Sequence, residues 1–213
     1  MCYVACQPFI FTHTCICIDP LSILRVPYQK HYVPSQDILR KIISYFHLVT
    51  GIPKNRIKQS LPEVMPKWGK VRVANGGDSI RCASSTRSEE LERNSSYYEI
   101  EVSLPSKKRQ KTAPIFQREL FYGKLEMILV CQLPQDEMWG TIAGTTRILA
   151  LITPCVTGGK DASVEITKYQ TTTTSIITDI QTISCVVGRV LTRGKWGIID
   201  RSGGLVKTEF IVG

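Results

Sequence analysis

The stretch that decides the fold is residues 121–133, which read FYGKLEMILVCQL. Its apolar residues recur with a period of two, which is typical of a β-strand with one face toward a core. Ile128 and Val130 break the alternation by adding apolar side chains to the second face. A strand of this length usually bends, and Gly123 is the expected place. The predicted core face consists of Phe121, Gly123, Leu125, Met127, Leu129, Cys131 and Leu133.

Shorter alternating segments lie on both sides of this strand. Residues 70–73 and 79–82 alternate around Asn75-Gly76, a dipeptide that favours a tight hairpin turn because both positions tolerate positive φ. Residues 97–104 alternate as well. Further strands are predicted at 146–153, 163–168, 176–191, 195–200 and 205–212, with turns at 158–159, 193–194 and 203–204. Residues 63–213 are therefore predicted to form an antiparallel β domain of about eight or nine strands, a partly closed barrel or a sandwich.

A helical pattern precedes the β domain. Ser35 is a suitable N-cap, apolar residues from Ile38 to Val49 recur at helical spacing, and Gly51 and Pro53 end the helix. A short second helix is predicted from Pro53 to Leu61. The pair superficially matches a helix-turn-helix, but the strand pattern begins too soon to supply a third helix, so packing on the β domain is favoured.

The predicted fold class is thus mainly β (α+β), with three parts. Residues 1–30 are predicted to be irregular or poorly ordered, with one strand near Phe9–Ile18; residues 31–62 form the helical segment; residues 63–213 form the β domain.

The charge is positive and uneven. Lys and Arg number 27 against 18 Asp and Glu, which gives a net charge of +9. Residues 21–60 hold seven of the cations and one acid, a local excess of six. Such an excess favours polyanions, although it also suits a merely soluble surface.

Catalytic signatures are missing from the sequence. The three histidines are His13, His31 and His47, so the β domain has no histidine to serve as a general base. No phosphate-binding or dinucleotide-binding glycine motif occurs, and no cofactor is predicted. A magnesium-dependent nuclease would need at least three carboxylates to converge, and nothing in the spacing brings them together. The candidates are Asp161, Glu165, Asp179, Asp200 and Glu99.

Cysteine usage and hydropathy bear on the compartment. The eight cysteines include no CxxC pair, and Cys131 and Cys185 lie in apolar runs that suit reduced core thiols. The cluster His13-x-Cys15-x-Cys17 lacks the second ligand pair of a structural zinc site, so no metal is predicted. No segment approaches the roughly 18–20 apolar residues that span a bilayer. We therefore expect an intracellular protein with no membrane partner.

Two basic segments are candidates for phosphate contact. The run 106–111, SKKRQK, fits a nuclear localisation signal, a phosphate-contacting loop or simply a solvated loop. Cations also surround Trp68, whose ring would either stack on a base or belong to the core. The predicted nucleic-acid-binding residues are Lys54, Arg56, Lys58, Lys67, Trp68, Lys70, Arg72, Lys107, Lys108, Arg109 and Lys111.

Several blocks carry a family resemblance. They are residues 65–81 (MPKWGKVRVANGGDSIR), 92–97 (ERNSSY), 121–126 (FYGKLE), 185–190 (CVVGRV) and 195–203 (KWGIIDRSG). Over residues 35–213 the chain resembles uncharacterised, transposon-associated proteins of mushroom-forming (basidiomycete) fungi. The Tyr-Gly-x-Leu-Glu strand is also similar to a domain of unknown function that accompanies CACTA-type transposases. The resemblance implies a mobile-element context but supplies no catalytic or binding residues.

These observations favour a non-enzymatic, nucleic-acid-associated β domain that binds the phosphate backbone of DNA or RNA electrostatically, with the nucleus as the predicted location. The alternative is an interaction module that docks to a transposase or chromatin protein through a strand edge or apolar patch. A metal-dependent nuclease is the third class. The oligomeric state is left open.

Overall fold

Residues 15–19, 22–73, 78–85, 97–105 and 116–200 are described by the computed structural model. The helices are α1 (Gln36–Thr50) and α2 (Lys54–Ser60). The strands are β1 (Cys15–Asp19), β2 (Ser22–Tyr32), β3 (Met65–Val73), β4 (Ser79–Arg81), β5 (Tyr97–Pro105), β6 (Phe116–Gln132), β7 (Thr146–Pro154), β8 (Lys168–Tyr169), β9 (Ile176–Asp179), β10 (Ile183–Val186), β11 (Gly188–Thr192) and β12 (Lys195–Ile199).

The strands form two antiparallel sheets. The larger sheet has the order β1-β2-β3-β6-β5-β10, with β4 added to β3 and with β7 joining β6 to β9. The smaller sheet has the order β11-β12-β8. The predicted mainly β fold with an N-terminal helical pair is confirmed, and the arrangement is sandwich-like rather than a closed barrel.

Strand β6 organises the larger sheet. Lys124 pairs with both Tyr97 of β5 and Thr153 of β7, and Ile128 pairs with both Trp68 of β3 and Ala150 of β7. Strands β5 and β3 therefore follow each other along one edge of β6, while β7 occupies the other edge.

Both faces of β6 are buried around Ile128. Ile128 and Val130 belong to an inner core with Leu24 of β2, Val71 of β3 and Ile80 of β4. Leu129 and Cys131 face the other way, into a helix-side core that Phe46 and other apolar residues of α1 and α2 complete. Burial on both faces explains why alternation fails at Ile128 and Val130.

Local signals for α1 are confirmed. The Ser35 hydroxyl accepts from the Ile38 N–H at 3.4 Å, and Gly51 adopts φ +74° and donates its N–H to the carbonyl of His47. This left-handed conformation is the reason that glycine ends the helix there.

Other expectations need correction. Residues 22–30, predicted to be irregular, belong to β2, which pairs with β3 from Ser22↔Val73 to Tyr32↔Met65. Residues 163–167 are a turn followed by irregular backbone, with only Lys168–Tyr169 in a strand. The single strand predicted over 176–191 is interrupted by the 3₁₀ turn Ile180–Thr182. The predicted elements at 75–76, 203–204 and 205–212, and residues 9–14 of the N-terminal strand, lie outside the described residues.

Candidate functional site

Three cations stand side by side across β2, β3 and β4. Arg25 of β2 pairs in register with Lys70 of β3, and Lys70 pairs in register with Arg81 of β4. Directly opposed residues on antiparallel strands point to the same face, with Cβ atoms about 4.5–5.5 Å apart. The three positive side chains therefore emerge from one row of the sheet.

A fourth cation extends this row along β3. Arg72 lies two residues after Lys70, so it points to the same face at a Cα separation of roughly 6.6 Å. We call Arg25, Lys70, Arg72 and Arg81 the basic face.

A row of apolar residues on the other face of the same three strands fixes the position of the basic face. Leu24, Val71 and Ile80 are paired in register, point the opposite way and are buried in the inner core. A one-residue slip of register would move these apolar side chains into solvent and the cations into the core, so the register is strongly specified.

The electrostatics of the basic face are unfavourable in isolation. Like charges directly opposite each other on neighbouring strands destabilise a sheet. Among the described residues, the ion pairs are Lys41–Asp37, Lys124–Glu126, Arg147–Asp179 and Lys160–Glu165, and none of them includes Arg25, Lys70 or Arg72. Arg25 is exposed and the other three are half-buried. The arrangement favours an anion as a ligand.

The predicted cations of α2 are exposed but make their own contacts. Lys54 Nζ lies 3.2 Å from the Ser44 hydroxyl of α1. Arg56 lines an open pocket of about 440 Å³. Lys58 is also exposed, at the C-terminal turn of α2. Among the described residues, no hydrogen bond or ion pair joins these three to the basic face. The pocket is completed by Gln59, Ser60, Pro134, Asp136 and Met138.

The prediction that Trp68 stacks on a base is wrong. Its side chain is 2% exposed and packs in the inner core, so its ring is not available to stack on a base. Tyr28 of β2 covers it instead, with ring centroids 4.4 Å apart and planes tilted by 35°. Lys67 is half-buried, and its ammonium lies 5.3 Å from the centroid of the Tyr32 ring.

The basic run 107–111 lies outside the described residues, so Lys107, Lys108, Arg109 and Lys111 stay predictions. Sequence reasoning found Lys70 and Arg72 but missed Arg25, Arg81 and Tyr28. The signal for Arg81 is the register of the predicted hairpin between residues 70–73 and 79–82, which places Arg81 opposite Lys70. Nothing local to β2 indicated that Arg25 would join them.

Two of the five candidate carboxylates come together. The Tyr122 hydroxyl lies 3.1 Å from Asp200 Oδ2 and 3.4 Å from Asp161 Oδ1, and it accepts the Ala162 N–H at 2.9 Å. Hydrogen bonds from Ser163, its hydroxyl first, hold the pKa of Asp161 below its ordinary value. The tyrosine occupies the place between the two carboxylates that a cation would need.

The remaining candidates make other contacts or lie on another strand. Glu165 pairs with Lys160 at 3.2 Å, Asp179 lies 3.9 Å from Arg147, and Glu99 lies in β5. Among the described residues, no group of three or more His, Cys, Asp or Glu could hold a metal ion. The described residues therefore give the nuclease hypothesis no support.

Three of the described thiols, those of Cys82, Cys131 and Cys155, are buried. Burial raises the pKa of Cys131 to about 12 and that of Cys155 to about 11, which keeps both protonated at neutral pH. Cys82 is also fully buried, and its thiol lies 3.4 Å from the Trp68 carbonyl. His47 Nδ1 lies 2.7 Å from the Ile52 carbonyl at the end of α1, and His31 is exposed in β2. The described part of the chain thus assembles no nucleophile–base pair around these groups.

Searches for similar proteins were negative at every level. Neither protein-family models, nor curated proteins, nor solved structures gave a match to this chain. Within the described ranges, neither helix is long and apolar enough to span a bilayer.

Proposed function

We propose that this protein binds nucleic acid through the phosphate backbone and that the basic face makes the contact. The observation that carries the proposal is the direct pairing of Arg25 with Lys70, extended along β3 by Arg72. A sheet that places like charges opposite one another loses stability unless an anion neutralises them. A nucleic-acid strand carries phosphate anions at regular intervals, so one strand can neutralise several of these cations.

The expected binding is largely independent of sequence. Lysine and arginine side chains that contact phosphates position a nucleic acid without reading its bases. Each neutralised phosphate releases counterions, so the affinity falls with salt. The four cations of the basic face would contribute about −3.6 to the slope of log K against log salt for a duplex and about −2.8 for a single strand.

The biological context in this proposal comes from the sequence. The resemblance to transposon-associated proteins and the run 106–111 support a non-enzymatic, mobile-element-derived protein located in the nucleus. The phosphate contacts of Lys107, Lys108, Arg109 and Lys111 belong to the same proposal, as do auxiliary contacts from Lys54, Arg56, Lys58 and Lys67.

The test is fluorescence anisotropy of labelled DNA against the full chain across a salt series. We expect Lys70→Ala/Arg72→Ala to weaken binding at low salt and to reduce the slope by about two contacts' worth, roughly 1.8 for a duplex. Lys160→Ala/Lys168→Ala is the matched control, since it removes the same charge from an exposed loop and from β8. Equal effects of the two double variants would show that only net charge matters and would overturn the assignment to the basic face.

One observation favours the docking alternative. Leu48 and Val49, near the C-terminal end of α1, are 74% and 59% exposed. Exposed neighbouring apolar side chains of this kind suit a protein partner such as a transposase or chromatin protein. No DNA or RNA binding even at low salt would favour this reading, and Leu48→Ser/Val49→Ser would then be the variant to test.

A further inference from the structure

Strand β2 continues well beyond its partner β1. The hairpin between the two strands is in regular register at the start of β1, where Cys15 pairs with Arg25 and Ile16 pairs with Leu24. Among the described residues, β1 pairs with β2 only as far as Arg25, whereas β2 runs on to Tyr32. Residues 26–32 therefore have β3 on one side and, in the described part of the chain, an open edge on the other.

This open edge is exposed and partly apolar. Every residue from 26 to 31 is exposed, and Val26 and Tyr28 are 42% and 40% exposed. Tyr28 packs on Trp68 of the inner core, so apolar surface at the margin of that core reaches solvent here. An open edge presents unpaired backbone groups, which are a template for pairing with another extended segment.

Two residues of the edge bear on which segment can pair with it. Pro27 and Lys30 are residue types that natural sheets use to discourage pairing with a foreign chain. A Cβ at Gly69 would clash with the Pro27 ring, so this proline packs against β3. A segment that the hairpin already holds beside β2 has a high effective concentration there, which a second copy of the chain does not.

The chain supplies such a segment directly before Cys15. The hairpin register carries residue 14 to a position beside Val26, and the β-bulge between Arg25 and Tyr28 allows a shift of one residue beyond that point. Residues 9–14 read FIFTHT, which are mostly the aromatic and β-branched types that are enriched in strands. Six extended residues reach about 20 Å, which matches the length of residues 26–31.

From this placement we infer that residues 9–14, which lie outside the described residues, continue β1 as a strand along the open edge of β2. The added strand would pair with the free backbone groups of residues 26–31 and bring apolar side chains beside Tyr28. The inference concerns the docking of one part of the chain on another, and it holds or fails independently of nucleic-acid binding.

Hydrogen–deuterium exchange of the full chain, read by mass spectrometry, tests the inference. Proline cannot donate to a strand ladder, so Thr12→Pro/His13→Pro should interrupt the added strand whichever of the two amides points toward β2. Thr12→Ala/His13→Ala is the matched control, because it removes the same side chains and keeps both N–H groups.

We expect the peptide that covers residues 26–32 to exchange at least about tenfold faster in the proline variant than in the original chain. In the alanine variant its exchange should stay within about twofold of the original rate. Peptides from β6 report on the rest of the sheet and should exchange at the original rate in both variants.

A second measurement does not depend on a variant. In the unaltered chain, nuclear Overhauser contacts should join the Cα protons of residues 10–13 to those of residues 27–31.

Three results would overturn the inference. The first is rapid exchange of residues 26–32 in the unaltered chain while β6 is protected. The second is equal acceleration by the proline and alanine variants, which would indicate side-chain contacts without a strand ladder. The third is protection that falls on dilution and survives the proline substitutions, which would assign the edge to a second copy of the chain.

Discussion

The hydroxyl of Tyr122 and a carboxylate oxygen of Asp200 lie 3.1 Å apart inside the protein. Tyr122 belongs to β6 of the larger sheet, and Asp200 directly follows β12 of the smaller sheet. Asp200 is only 1% exposed, so its oxygens depend on partners within the protein. The contact therefore joins the two sheets through a buried polar group.

Replacing Tyr122 by Phe should destabilise the protein by about 1–3 kcal/mol, because Asp200 and the Ala162 N–H both lose a partner. Urea unfolding followed by circular dichroism measures the change. Tyr28→Phe is the control, and removal of the hydroxyl from this 40% exposed residue should change the free energy of unfolding by less than about 0.5 kcal/mol. Equal values for the two variants would contradict a structural role for the Tyr122 hydroxyl.

Asp161 should contribute to acid sensitivity. Its pKa is lower in the folded state, so the unfolded chain takes up the proton first as the pH falls. The stabilisation is fully present above the unfolded pKa, about 3.9, and is lost as the pH falls through the lower folded value. The unfolding free energy of Asp161→Asn should decline less steeply than that of the original chain below about pH 4. Parallel curves down to pH 2 would show that the lowered pKa is not a feature of the folded state.

Lys70, the central cation of the basic face, should destabilise the folded protein when no ligand is bound. Lys70→Gln removes a charge that lies directly opposite that of Arg25, so we expect a gain of about 0.2–1 kcal/mol at low salt. At about 1 M salt the screening length falls to about 3 Å and the gain should disappear.

Thermal unfolding at both salt concentrations measures this effect, with Lys168→Gln as the matched control. A loss of stability in Lys70→Gln at low salt would mean that the basic face is neutralised within the chain and would weaken its assignment as an anion site.

The hairpin between β11 and β12 holds a strained residue. Arg193 has φ +52° and Gly194 has φ +73°, which is the two-residue turn that favours Asn-Gly. Since a left-handed conformation costs most residues roughly 1–2 kcal/mol and asparagine less, Arg193→Asn should raise the stability by about 0.5–1 kcal/mol. Calorimetry of this variant and of Gly194→Ala, which should move in the opposite direction, tests the turn.

The buried thiols should resist alkylation in the folded protein. Burial raises the pKa of Cys131 to about 12, and Cys155 is similarly protected, so little thiolate forms at pH 8. Iodoacetamide labelling with mass spectrometry, before and after denaturation, locates the modified cysteines. Labelling of Cys131 at the denatured rate would show that the helix-side core opens readily.

Local patterns predicted most of the elements. The run 121–133, the cap at Ser35 and the turn at Arg193-Gly194 each carry their signal within a few residues, and each is present in the structure. Strand β2 was missed because its residues after Arg25 are exposed on both faces, so no alternation marks them. The predicted strand 176–191 failed because an apolar run does not reveal the turn at Ile180.

The candidate site was predictable only in part. Lys70 and Arg72 alternate with Val71 and Val73, and this pattern identified them as surface cations. Their neighbours Arg25 and Arg81 come from other strands, and cross-strand register depends on the whole sheet. For the same reason, the sequence did not decide whether Trp68 lies in the core or on the surface. Its neighbours in sequence do not show that Tyr28 covers it.

Strand β6 has one more consequence. Tyr122 contributes to the core beneath the small sheet, Ile128 to the inner core and Leu129 to the helix-side core. All three clusters therefore include residues of β6. Unfolding of any one cluster would disturb this strand and so weaken the other two. The sandwich and its helices should unfold as one cooperative unit.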